Sequence, residues 1–438
     1  MQVGARQQAA GATTRISAHR VVLPDGERSA RLTIRSGRIA DIDEFGPADV
    51  TVPESCVLLP GLVDSHVHVN EPGRTGWEGF ASATAAAAAG GVTTIVDMPL
   101  NSIPPTTSVP ALRRKQAAAA GSVHVDTAFW GGAVPGNLSA LHPLHNAGVV
   151  GFKCFLLPSG VDEFGCLDPA QLRTSMARIA SFDGLLIAHA EDAAAITEPA
   201  GPAYPDFLAS RPPAAESHAV QALLANTEQT GCRTHVVHVS AAAVLPLLAD
   251  ARARGLPVTA ETCPHYLTLS AEDVHGTEYK CCPPIREAAN RDALWQALRD
   301  GVLDCVVSDH SPCPPALKAG GFDTAWGGIA SVQLGFSAVW TSAAARGFTL
   351  VDVARWMSTA PAWLAGLSRK GAIEVGRDAD FAVVDPDATW TVDPSRLRHR
   401  HPLTPYAGMT LRGVVRETWL RGAPLNGGPP RGRLLIRG

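Results

Sequence analysis

Apolar positions along the chain follow two rhythms. Over residues 15–58 they alternate, as in short antiparallel strands. Arg31-Leu-Thr-Ile-Arg35, a Ser36-Gly37 turn and Arg38-Ile-Ala-Asp-Ile42 read as a hairpin. The apolar Val57-Leu58-Leu59 then leads into a second rhythm of short apolar or β-branched runs. These runs lie near 62–69, 92–98, 123–130, 149–155, 185–190, 234–239, 257–262 and 304–308. Each spacer is long enough for a crossover helix, and two end at glycine: Thr84–Ala89 before Gly90-Gly91, and Ala241–Arg254 before Gly255. Such a series predicts an α/β fold, a (β/α)8 TIM-like barrel, with a doubly wound open sheet as the alternative.

After about residue 370 short strands return, at Gly371–Val375, Phe381–Asp385 and Leu411–Leu420. They are expected to pair with the N-terminal strands in a small β-sandwich domain built from both chain termini. The expected division is 1–58 and 371–438 for the small domain and 59–370 for the barrel. The Gly/Pro/Arg-rich tail from Gly427 is expected to be loosely ordered. The long loops Glu198–Glu216 and Ser311–Gly328 are expected to act as lids over the barrel mouth.

Composition narrows the functional classes. A formal net charge of -4 with 18% charged residues gives no basic surface for nucleic acid or membrane. No apolar run is long enough to span a bilayer, and the first fifteen residues lack the apolar core of a signal peptide. Nine cysteines, odd in number and without a C-x-x-C pair, point to free thiols in a reducing, cytoplasmic compartment.

The candidate chemistry lies at the strand ends. His66 and His68 sit two residues apart on the first strand, so both imidazoles face one way, with Asp64 and Asn70 in step. Lys153 ends the fourth strand, His189 the fifth and His238 the sixth; Asp309 follows the eighth. In a barrel all six crowd the carboxyl-terminal mouth, where imidazole and carboxylate together suit a divalent metal. His235 and His310, at odd spacing from those ligands, are expected to face away, and His265 to serve as support. Lys153 is the odd member, since a lysine cation is repelled by a metal. It is either a Schiff-base lysine or one carbamylated by carbon dioxide into a carboxylate that can bridge two metals.

Pro60-Gly-Leu-Val-Asp-Ser-His-Val-His68, Gly151-Phe-Lys153, His189-Ala-Glu191, His238-Val-Ser240, Ser308-Asp-His-Ser-Pro312 and Lys370–Asp380 resemble the cyclic-amide branch of the amidohydrolase superfamily. That branch includes dihydroorotase, hydantoinase and allantoinase. The resemblance implies two divalent metal ions, usually Zn2+, bridged by N6-carboxylysine at Lys153 and a hydroxide. It assigns His66, His68 and Asp309 to one metal, His189 and His238 to the other, and the general-base role to Asp309. Within the branch, His68–Gly79, Asp97–Thr106 and Pro158–Phe164 resemble allantoinase loops. The implied substrate is then the small molecule allantoin, its ring opened to allantoate. Asn70 stands where dihydroorotases carry Arg, and Pro158 where hydantoinases carry Tyr. Both cyclic amidases remain as alternatives. Asn70, Arg74, Asn101 and Cys282 are the expected substrate contacts, and relatives are commonly homotetramers.

Overall fold

The structure, a computed structural model, describes residues 13–437. The extreme N-terminal stretch and Gly438 lie outside the described residues. Five strands open the chain: β1 (Thr13–Leu23), β2 (Gly26–Arg35), β3 (Arg38–Asp43), β4 (Val50–Thr51) and β5 (Val57–Pro60). The β2–β3 turn is the expected one. Ser36 and Gly37 both take positive φ, 51° and 77°, which matches the strand twist, and Arg35 pairs with Arg38.

The barrel strands follow: β6 (Leu62–Val67), β7 (Val92–Asp97), β8 (Asp126–Phe129) with β9 (Gly131–Gly132), β10 (Phe152–Phe155), β11 (Leu185–His189), β12 (Arg233–Val236), β13 (Val258–Thr262) and β14 (Cys305–Val306). All neighbours pair in parallel. The ring closes where Val67 bridges His310 and the His68 amide donates to the His310 carbonyl at 2.8 Å. Asp64 reinforces this seam by accepting from the Ser308 amide at 3.2 Å. Burial pushes the Asp64 carboxyl up to about 6, against the pull of its Ser308 and His66 donors.

Between strands lie the helices the pattern calls for. The Ala-rich helix Phe80–Ala89 begins where the Glu71 carboxylate accepts from the Phe80 amide at 2.8 Å. It stops at Gly90, and Gly91 follows at φ 83°, a conformation that disfavours side chains.

The last strands, β15 (Phe381–Thr391), β16 (Thr410–Leu420) and β17 (Ala423–Pro424), join the first five in one sheet ordered β17-β16-β15-β5-β1-β2-β3, with β4 on β1. Alternation gives this sheet two apolar faces. Leu58, Phe381 and Val383 pack inside the small domain, whereas Val57, Leu59, Ala382 and Val384 pack toward the barrel helices. That double burial explains the unbroken apolar run at Val57–Leu59.

Two expectations fail. Gly371–Val375 is not a strand. The chain there wraps around buried Lys370, whose Nζ meets Asp126, Asp378 and Asp380 at 2.5, 2.9 and 2.6 Å. Satisfying one buried cation with three carboxylates takes a turn that an extended strand cannot make. The tail from Gly427 is docked rather than loose. The Thr127 amide donates to the Arg433 carbonyl at 2.9 Å and the Leu435 amide to the Thr127 carbonyl at 2.8 Å. The tail thus takes the edge of β8 that β10 leaves free.

Among the described residues no helix is long and apolar enough to cross a membrane, and all nine cysteines are free thiols.

Candidate metal centre

The parallel register sets which side chains share the barrel interior. Lys153 lies level with Ile187 and His235, and Phe155 lies level with His189. Lys153 and His189 therefore reach the same mouth from adjacent strands. His66 and His68 reach it from β6, and their Nε2 atoms lie 3.2 and 3.4 Å from Oδ1 of Asp309. The rings of His66 and His68 stand 5.5 Å apart, those of His66 and His238 5.5 Å, and those of His189 and His238 4.6 Å. The Lys153 ammonium sits 4.9 Å from the centre of the Phe155 ring, which stacks on His189 at 4.8 Å. The structure thus brings together all six residues that the strand-end reading singled out.

Two of them enter by breaking strand geometry. His238 has φ 39° and Asp309 φ 45°; Asn70 and Asn101 share this left-handed region at 66° and 63°. Non-glycine residues pay steric strain there, and such strain concentrates at functional sites. It also corrects one expectation. His235 does not face away: the strand ends at Val236, the chain turns at His238, and both imidazoles face inward. Nε2 of His235 lies 3.0 Å from Oε2 of Glu261, whose Oε1 lies 2.5 Å from Nδ1 of His66. His310 does point away as expected: its Nδ1 accepts from the Ser331 amide at 3.0 Å, and its Nε2 lies 3.6 Å from Glu78.

On His66 and His189 a carboxylate engages one ring nitrogen and leaves the other free to ligate. Glu261 engages Nδ1 of His66, leaving Nε2, which is buried without a hydrogen-bond partner. Nδ2 of Asn101 lies 3.4 Å from Nδ1 of His68. Glu191 engages Nε2 of His189 at 2.7 Å, leaving Nδ1. Nδ1 of His238 is buried and unpartnered. Carboxylates that orient imidazoles in this way are typical of metal sites. Glu261 and Glu191 went unrecognised in the sequence. A signal existed for both: Glu191 lies two residues past His189, and Glu261 lies at the end of the seventh apolar run.

The electrostatics agree. Burial lowers His68 to about 4 against the opposing pull of Asp309, and it lowers His189 and His238 as well. Neutral imidazoles keep the lone pairs a cation needs. Burial opposes ionisation of Asp309, but His66, His68 and His238 outweigh it and hold the carboxyl far below the usual range. Burial likewise opposes Glu261, which His66 and His235 hold at about 2. Burial brings Lys153 down to about 8, though Asp309 and Glu261 pull it up. Beside this set, His265 has both ring nitrogens buried and unpartnered. Its neighbour Cys263 is pushed well above its ordinary value by burial, so the thiol stays protonated.

The donor set fits a divalent cation. Donors about 2.0–2.1 Å from a tetrahedral ion lie about 3.3 Å from one another. The Asp309–His66 and Asp309–His68 separations of 3.2 and 3.4 Å match that edge.

The loop residues lie around the same mouth. Asn70 donates to the Pro312 carbonyl at 3.2 Å, while its Oδ1 and that of Asn101 are buried and unpartnered. Arg74 donates to the Asn101 carbonyl at 3.0 Å and pairs with Glu163, so its guanidinium is already engaged. Cys282, half-buried, precedes Pro283, and burial pushes its thiol up. A cavity of about 250 Å³ lies against Arg74, Trp77, Glu163, Leu317 and Trp326. The two long loops pack against each other, Tyr204 against Phe322 at 4.9 Å.

Residues 57–425 match the family described as the amidohydrolase family. The chain is 57% identical over 435 residues to an allantoinase of Streptomyces avermitilis, covering 95% of this chain and 97% of that one. It is 42% identical to an allantoinase of Arabidopsis thaliana, covering 93% of this chain and 87% of that one. Among solved structures, L-hydantoinase from Arthrobacter aurescens superposes with a TM-score of 0.89 at 30% identity, covering 97% of this chain and 98% of that one.

Proposed function

The chain belongs to the amidohydrolase family, and we propose that it hydrolyses the ring amide of allantoin to allantoate with two divalent cations, Zn2+ in this reading. The observation that supports this most is the convergence of His66, His68 and Asp309 within ligand-to-ligand distance, with His189, His238 and Lys153 alongside. His66, His68 and Asp309 would hold one cation, His189 and His238 the other, with Lys153 between them as N6-carboxylysine. Bound divalent cations supply Lewis acidity and a water of lowered pKa.

The chain's own residues do the rest. A lysine near 8 leaves roughly one molecule in ten as free amine at neutral pH, the form that adds to carbon dioxide. Asp309, held ionised, accepts the proton of the attacking water and returns it to the ring nitrogen as the C–N bond breaks. The unpartnered carbonyl oxygens of Asn70 and Asn101 are acceptors suited to a substrate dense in N–H donors. Burial excludes competing water from both. The free thiols support a reducing, cytoplasmic setting, and the resemblance implies a homotetramer.

The test is conversion of allantoin to allantoate by purified protein with metals quantified, run beside dihydroorotate and hydantoin. Turnover of allantoin with about two equivalents of metal supports the reading. Preference for another ring, or activity in metal-free protein, overturns it.

A further inference from the structure

The two halves of the metal centre are supported differently. His66 and His68 lean on Glu261 and Asn101, groups of the barrel wall and the second loop. His189 leans on Glu191, which is fully buried and uses Oε2 twice: 2.7 Å to Nε2 of His189 and 2.6 Å to Nη1 of Arg211. Its Oε1 is buried without a partner. A buried carboxylate in this position depends on its cation, and Arg211 is that cation.

Arg211 belongs to the long fifth loop and directly follows the short helix Tyr204–Ser210. Its carbonyl accepts from Nη2 of Arg286 at 3.1 Å, and Arg286 pairs with Glu216 at 2.8 Å. The other Glu216 oxygen accepts the amides of Ser240 and Ala241, each at 3.0 Å, two and three residues past His238. One segment, from Arg211 to Glu216, therefore braces both His189 and the turn that carries His238.

We propose that Arg211 and Glu191 are a positioning pair that fixes Nδ1 of His189 toward the second divalent cation, so that the 204–216 segment sets the affinity of that site alone. This rests on the metal reading above. Glu191 holds the proton on Nε2, so the lone pair lies on Nδ1. Arg211 acts only through Glu191 and touches no ligand itself.

The test titrates metal-free protein with Co2+, following stepwise binding by calorimetry and by the visible cobalt spectrum. Glu191→Gln should weaken one of the two steps about 10- to 100-fold and leave the other within twofold. Arg211→Met should weaken the same step, Arg211→Lys should recover part of the loss, and the double variant Glu191→Gln/Arg211→Met should match Glu191→Gln alone. Equal weakening of both steps, no weakening, or losses that multiply in the double variant overturn the proposal. If Glu191→Gln does not fold, the contrast of Arg211→Met with Arg211→Lys carries the same decision. Wild-type protein binding fewer than two Co2+ sinks the metal reading itself; wild type and Glu191→Gln binding two equally tightly sinks only the positioning pair.

Discussion

Nδ1 of His66 and Oε1 of Glu261 lie 2.5 Å apart, although 195 residues separate them in the chain. The contact turns the His66 ring so that Nε2 faces Asp309, and His235 holds the other carboxylate oxygen. Glu261→Gln should therefore keep the fold and lower metal affinity 10- to 100-fold. Chelator competition, read by retained metal, measures the loss. Unchanged retention in a folded variant would deny the orienting role.

Asp309 contacts both His66 and His68 and stays ionised. Asp309→Asn is expected to retain secondary structure by circular dichroism and to lose at least 10²- to 10⁴-fold in kcat on allantoin. A metal-loaded variant with normal kcat would refute proton transfer by this residue.

Lys370 ties β8 to the small domain through Asp126, Asp378 and Asp380, and Arg421 also pairs with Asp126. Burial opposes its charge, but the three carboxylates outweigh that and raise its pKa. Lys370→Met strands buried negative charge and should cost about 3–5 kcal/mol in urea unfolding. A loss under about 1 kcal/mol would show that the cluster relaxes into water.

His399 gives a pH signature. Burial, aided by His310, lowers it to about 4, and both ring nitrogens lack partners. Its folded pKa is depressed, so the unfolded chain binds the extra proton between about 6.5 and 4, and stability falls with pH in that window. The effect reaches about 2 kcal/mol by pH 5. His399→Leu should remove that slope. An unaltered wild-type-minus-variant difference between pH 7 and pH 5 would contradict it.

Much of this was legible in the sequence because strand periodicity is a strong constraint. The two-residue spacing of His66 and His68, and the placement of Lys153 and His189 at strand ends, carried directly into space. Parity failed at His235 because it assumes an unbroken strand, and the turn at His238 breaks it. Glu261 was passed over although it lies at a strand end, because its partner His66 is remote in sequence. The Lys370 cluster was missed because Gly371–Val375 reads as a strand, whereas the order of this stretch comes from buried charge.

The docked tail has a consequence for self-association. Residues 433–435 occupy the free margin of β8, a strand remote from them in sequence. Removing those residues leaves that margin open, with the Thr127 amide and carbonyl offered to any passing chain. Protein truncated after Pro430 should therefore cross-associate, read as aggregate by light scattering, where the chain that keeps residues 433–435 does not.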